Sequence, residues 1–224
     1  MPSVTERWHS VFAEVAEECA KWGRDVSDIT LVVVTKFHPV SVIEELLDAG
    51  ARHFGESRHQ DAAPKADALA DRDLTWHFVG QIQSNKARAI ARYTSVIHSL
   101  DRDSVVDALV TSEHRVDGFI ELNLTDDPGR GGVTTADDML RLAERILAAG
   151  TIDLRGVMAV APQDADPNAA FAHVASMSEI LTQAYPNATD ISAGMSADWQ
   201  QAIEHGATHL RIGTSITGKR PTPR

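Results

Sequence analysis

The stretch Thr30-Leu31-Val32-Val33-Val34-Thr35-Lys36-Phe37-His38-Pro39 decides the fold. Its first six residues form a near-continuous apolar, β-branched run, the pattern of a strand covered on both faces. An open, doubly wound sheet would place a Gly-x-Gly-x-x-Gly turn directly after such a first strand. Here the turn is Lys36-Phe37-His38-Pro39, with no glycine at all. Outward from this strand, short β-rich runs alternate with longer amphipathic ones. Strands are expected at Ala51 to Gly55, Thr75 to Val79, Ser95 to Leu100, Gly118 to Leu124, Leu154 to Val160, Thr189 to Ser192 and Thr208 to Ile212. The run at Thr189 to Ser192 carries the weakest signal. Helical patterns precede and separate them at about 5–21, 40–49, 57–70, 84–92, 102–113, 135–149, 167–184 and 196–205. Several reach a glycine where a helix is expected to stop, at Gly50, Gly150 and Gly206. No Asn-Gly hairpin signal links the strands, so the connections are parallel. Eight such strands with intervening helices close into an α/β fold, a (β/α)8 barrel with an extra N-terminal helix, whose usual size is about 250 residues. Residues 1–224 are read as one domain.

Composition agrees with a globular chain. Of 224 residues, 43% are hydrophobic and 24% charged, enough apolar material for one sizeable core and too much for a disordered tail. The formal net charge of −11 repels phosphate backbones and anionic lipid, so neither nucleic acid nor a membrane is expected as the main partner. The acidic start, with Glu6, Glu14, Glu17 and Glu18, lacks the basic and apolar regions of a signal peptide. The single cysteine, Cys19, cannot form an internal disulfide, which fits a reducing cytoplasm.

A barrel of this kind keeps its chemistry on the loops that follow the strands. Those positions hold Lys36, Glu56-Ser57, Gly80, His98, Asn123, Met158-Ala159, Gly194-Met195-Ser196 and Gly213-Thr214. Lys36 emerges at the rim of an apolar strand. Desolvation there would lower its pKa and expose an amine able to attack a carbonyl, although a solvent-facing charge that ends a sticky strand has the same appearance. Ser192-Ala-Gly-Met-Ser196 and Arg211-Ile-Gly-Thr-Ser215 combine glycine with a hydroxyl before an expected helix, at the two loops where barrels commonly grip phosphate. Each alone reads equally as a plain helix cap. A lysine facing two such loops suggests pyridoxal phosphate or a phosphorylated sugar held as a Schiff base. Arg211 bears on that choice, because pyridoxal phosphate sites place a carboxylate or an arginine beside the pyridine nitrogen. An arginine leaves that nitrogen unprotonated and the ring a weaker electron sink, while pairing with a barrel carboxylate is the plain alternative.

Longer motifs add to this. Leu31-Val-Val-Val-Thr-Lys36, His53-Phe-Gly-Glu56, Trp76-His-Phe-Val-Gly80, Gln83-Ser-Asn-Lys86, His98-Ser-Leu-Asp101, Arg155-Gly-Val-Met-Ala159, Gly194-Met-Ser-Ala-Asp198 and Leu210-Arg-Ile-Gly-Thr214 run through nearly the whole chain, from about residue 5 to Gly218. Together they resemble the pyridoxal phosphate homeostasis proteins, single-domain relatives of the alanine racemase barrel. The resemblance implies an internal aldimine between Lys36 and pyridoxal 5′-phosphate. It also implies a phosphate held by Ser196, Gly213 and Thr214, Arg211 near the ring nitrogen or phosphate, and Met158 against the ring. Ser57 stands where the family commonly has asparagine, and Thr35-Lys-Phe-His-Pro39 where it commonly has Ser-Lys-Thr-Lys-Pro. Thr217-Gly218 replaces a usual Phe-Gly.

The resemblance further implies buffering of free pyridoxal phosphate and its supply to apo-enzymes. Efficient catalysis is not expected, and a monomer is expected rather than a dimer. A low-activity amino-acid racemase or aldolase is the competing class. Racemisation needs a base on each face of the bound amino acid. The two tyrosines, Tyr93 and Tyr185, precede strands and so are expected at the opposite end of the barrel; Cys19 lies in the first helix. The chain ends about ten residues after its last strand, so no second domain is expected to supply a base. A phosphosugar aldolase or isomerase would want a carboxylate at the strand ends; of Glu56 and Glu121, only Glu56 is expected at that face. The ten histidines show no convincing metal spacing. His77 reads as a core hydrogen-bonding residue, Asn85 and Lys86 as a helix cap or ligand rim, and Pro128-Gly-Arg-Gly-Gly132 as a mobile rim loop rather than an anion nest.

Overall fold

The computed structural model describes residues 2–125, 127 and 129–219. Eight parallel strands close in sequence order: β1 (Thr30–Val34), β2 (His53–Glu56), β3 (Thr75–Phe78), β4 (Val96–Leu100), β5 (Val116–Leu122), β6 (Ile152–Ala159), β7 (Asp190–Ser192) and β8 (His209–Ile212). Closure is made by β1 on β8, with Thr30 opposite His209 and Val32 opposite Arg211. The helices α1 (Val4–Lys21), α2 (Val40–Asp48), α3 (His59–Ala68), α4 (Ser84–Ala91), α5 (Asp103–Val110), α6 (Ala136–Ala149), α7 (Pro167–Ala184) and α8 (Trp199–Glu204) precede the strands in turn, and α9 (Thr214–Thr217) follows the last. No described helix is long and apolar enough to cross a membrane.

Local sequence accounts for these elements. Ser3 and Glu6 form a reciprocal capping box at the start of α1, whose apolar face of Val4, Trp8, Val11, Val15 and Cys19 is buried. The guanidinium of Arg7 donates to the Ile216 carbonyl at 2.6 Å and ties α1 to α9. The expected stops at Gly50, Gly150 and Gly206 all have left-handed φ, of 99°, 70° and 87°. Strand edges differ from expectation by up to two residues. β5 begins and ends two residues earlier, so Asn123 lies beyond its end. The helix after β7 begins at Trp199 with Asp198 at its N-cap, so Ser196 precedes the helix instead of opening it.

The wall of the barrel separates two different environments. Leu31, Val33, Phe54, Trp76, Phe78, Ile97, Ile120 and Ile212 face outward into one apolar core shared with the helices. Inside, a barrel is usually filled by stacked aliphatic side chains. Here the inner apolar cluster is small, made by Val96, Phe119 and Met158 with Val160 against it. Much of the remaining interior is polar.

Candidate functional site

The inner polar residues come from alternate positions on successive strands, since side chains on a strand point to opposite faces with a period of two. His53 Nδ1 lies 2.9 Å from His77 Nε2, and His77 Nδ1 lies 2.8 Å from His98 Nε2. His98 Nδ1 is 2.8 Å from the hydroxyl of Ser192. That hydroxyl accepts from the Arg211 guanidinium at 2.5 Å, and the same guanidinium donates to the Ala159 carbonyl at 2.8 Å. A hydrogen-bonded column thus crosses the barrel from the start of β2 to β8. His98 stacks on Phe119 with ring centroids 4.8 Å apart, and His209 meets Phe119 edge-on at 5.0 Å. Burial holds His77 and His98 well below the ordinary imidazole pKa, reinforced by neighbouring histidines, and holds His209 down to about 4. The column is therefore neutral at pH 7, with Arg211 as the cation at its end. Burial lowers Arg211 to about 10, while Glu121 and Asp198 oppose that shift.

The expected phosphate loops meet. The Ser196 hydroxyl accepts from the Thr214 hydroxyl and from the Ser215 backbone N–H, each at 3.4 Å. Asp198 holds the preceding turn by accepting the Met195 N–H at 2.6 Å. A Cβ on Gly213 would stand 3.6 Å from Val34, so this loop lies alongside the end of β1. Met158 is 2% exposed and pairs in register with Ser192, which brings it beside the Arg211 contact. Lys36 follows β1 in a turn. It is exposed, and the desolvation expected for it is not what the fold provides. Ser57 stands apart from these residues, in a cleft of about 430 Å³ lined also by Arg58, His59, Gln81 and Lys86.

Two carboxylates near strand ends lie on opposite sides of the wall, Glu56 at the C-terminal end of β2 as expected and Glu121 one residue short of the end of β5. Glu56 points outward through the wall, where its Oε1 accepts from Lys65 Nζ at 2.6 Å and from the Thr35 hydroxyl at 2.9 Å. Glu121, two residues beyond the inward-facing Phe119, belongs to the inner face. Burial raises its pKa to about 7; Asp101 adds to the rise, and Arg211, Arg130 and Arg102 oppose it. The site therefore contains a carboxyl that is half-ionised near neutrality, which the sequence reading placed elsewhere. The rim loop after β5 is pinned by Asn123, whose side-chain amide donates to the Asp127 and Arg130 carbonyls at 3.2 and 3.0 Å. Pro128 of that loop lies outside the described residues. Tyr93 sits outside the wall, stacked on His59 and lining a cleft with Arg72, Leu74 and Trp76 at the start of β3, and Tyr185 caps α7. No group of three or more potential metal ligands occurs among the described residues.

Sequence reasoning placed Ser192 in a phosphate loop and missed its link between His98 and Arg211, along with Lys65 and the column as a unit. Histidines within strands at His53, His77 and His98 were the available signal, since three consecutive strands each carry one at an inward position. Lys65 gave none, because a lysine in a helix ordinarily reads as solvent-facing.

A closed parallel barrel with an amine, a buried guanidinium and two hydroxyl-bearing loops at its C-terminal mouth defines the alanine racemase class of barrel, and the family described as alanine racemase, N-terminal domain, matches residues 21–221. The chain belongs to the pyridoxal phosphate homeostasis proteins within that class: it is 37% identical over 210 residues to the protein of that name from Corynebacterium glutamicum, covering 89% of this chain and 94% of the relative. The protein of the same name from Pseudomonas aeruginosa is 35% identical over 226 residues, covering 98% and 97%. Among solved structures, PipY of Synechococcus elongatus with pyridoxal phosphate bound superposes with a TM-score of 0.78 at 32% identity, covering 91% of this chain and 100% of PipY. Alanine racemase from Bacillus anthracis shares the fold alone, with a TM-score of 0.68 at 16% identity over 96% of this chain and 57% of that enzyme.

Proposed function

We propose that this chain, acting as one domain in the cytoplasm, carries pyridoxal 5′-phosphate as a Schiff base on Lys36 and buffers or supplies it to apo-enzymes. The observation that supports this reading is the meeting of the Ser196 and Thr214 loops beside the end of β1, the strand that Lys36 follows, with Arg211 on the neighbouring β8. Ser196, Gly213 and Thr214 would take the phosphate, Met158 would pack on the ring, Arg211 would face the ring nitrogen, and Ser57 would contribute from the rim. When bound, the cofactor supplies an electrophilic aldehyde and an electron-withdrawing ring. The residues of the chain bind and orient it. An arginine fixed by Ser192 and the Ala159 carbonyl is a donor that keeps a facing ring nitrogen unprotonated, which supports holding over turnover. The placement of both tyrosines outside the mouth supports a carrier over a two-base racemase. The names of the relatives and the ligand in PipY support the choice of cofactor.

The test is the visible absorption spectrum of the purified chain after adding pyridoxal phosphate, followed by borohydride reduction and peptide mass mapping. A yellow protein with the label on the peptide containing Lys36 is the expected result. A protein that stays colourless and takes up no cofactor overturns the proposal.

A further inference from the structure

The buried pair on the outer side of the wall has no part in the site as described, yet it reaches the residue next to Lys36. Every polar group of Thr35 is engaged. Its N–H donates to the Gly55 carbonyl at 3.0 Å, and its hydroxyl donates to Glu56 Oε1 at 2.9 Å. Its carbonyl accepts from the His38 N–H and from Lys65 Nζ, both at 3.0 Å. Lys65 is 8% exposed and Glu56 1%, so the ion pair that makes two of these contacts is cut off from water.

Stability does not explain this arrangement. The buried face of α3 is Ala62, Lys65 and Ala66, with Pro64 inside the helix removing a backbone donor. An aliphatic residue at position 65 would cover the wall without desolvating two charges, and buried ion pairs are often matched or bettered by apolar replacements. What the lysine adds is a fixed carbonyl at Thr35. Lys36 is exposed, so packing does not orient its side chain, and its direction depends on the backbone on either side. On the far side Phe37 is the one described non-glycine residue with positive φ, at 69°. Such a conformation persists only where its surroundings over-determine it.

We infer that Glu56, Lys65 and Thr35 form a clamp outside the barrel wall that positions Lys36 for bond formation with an aldehyde, and that Glu56 and Lys65 are positioning residues. This rests on the assignment of Lys36 as the cofactor-bearing amine. In that step the neutral amine adds to the aldehyde carbon, the C=N bond forms, and the carbonyl oxygen leaves with two hydrogens as water.

The experiment compares two ligands on the full chain. Pyridoxal phosphate can bond to Lys36; pyridoxamine 5′-phosphate has the same ring and phosphate but an amine in place of the aldehyde. Lys65→Met should slow the rise of the Schiff-base absorbance and weaken it at equilibrium by tenfold or more, while pyridoxamine phosphate affinity stays within about twofold. Thr35→Val, which removes one hydrogen bond and no charge, should give a smaller split of the same sign, and it serves as the test if the Lys65 variant does not fold. Unchanged Schiff-base formation in the variants, or equal weakening for both ligands, overturns the clamp. If wild-type protein binds both ligands alike and gives no absorbance, the assignment of Lys36 fails and the clamp fails with it.

Discussion

Two buried polar assemblies lie on opposite sides of the same wall, and they solve the cost of burial differently. Inside, three imidazoles are kept neutral and pass hydrogen bonds to one another until they reach Arg211 through Ser192. Outside, Glu56 and Lys65 form a close ion pair that also holds Thr35. A neutral column can reverse its donors and acceptors by changing tautomers without moving an atom heavier than hydrogen. An ion pair has no such freedom, since it loses its compensation when either partner goes. The inner assembly is therefore expected to be graded and responsive to pH, and the outer one all-or-none.

The largest effect should come from breaking the outer pair. Lys65→Ala leaves an uncompensated carboxylate in the wall and should lower unfolding free energy by about 3–5 kcal/mol in urea titrations. Restoring neutrality with Glu56→Gln in the same chain should return most of that loss. If the double variant is as unstable as the single one, the cost was packing and the contrast fails.

Acid should act on the inner assembly. A histidine with a depressed pKa in the folded state contributes stability that is complete above about pH 6.5 and is lost as the pH falls toward its folded value, because the unfolded chain binds more protons in that window. For His209, held down to about 4, the loss across pH 6.5 to 4 is on the order of 3 kcal/mol. His209→Gln should flatten the pH dependence of unfolding there; an unaltered slope would remove the neutral interior from the account.

Ser192→Ala takes a partner from both His98 and Arg211, and should cost about 1–3 kcal/mol. Its Schiff-base band should move in wavelength, whereas an outer-layer variant of equal stability should lose amplitude in that band with its wavelength unchanged. A second titration sharpens the contrast further. Glu121, raised to about 7, binds a proton more tightly when folded, so it lowers stability as the pH rises from about 4.5 through 7, on the order of 3 kcal/mol. This opposes the histidine slope. Glu121→Gln should steepen the rise in stability between pH 4.5 and 6.5, as measured by melting temperature.

Much of the barrel was legible because its signals are local. The glycine-free turn at Lys36 to Pro39, the parallel alternation of elements and the left-handed helix stops need no knowledge of partners. The meeting of Ser196 with Thr214 followed from loop order alone. Facing was less legible. Strands covered on both sides carry no polar–apolar alternation to show which residues point inward. Glu56 and Glu121 each lie near a strand end, and only the register of their own strands separates the ion pair outside from the carboxyl inside. The exposure of Lys36 is set by a turn whose unusual Phe37 backbone no pattern announces.

β7 is three residues long, and its seam with β8 runs on past the strand end through the N–H groups of Thr208, Ala193 and Arg211, which donate to the carbonyls of Ile191, His209 and Gly194. A closed hoop is as strong as its shortest splice. The loops that leave both sides of this splice are the ones joined at Ser196 and Thr214, so a phosphate gripped by both would fasten the hoop as a clasp does. Amide hydrogens along this seam would exchange early in the empty protein and slow on loading, making cofactor occupancy legible as the lifetime of a few backbone protons.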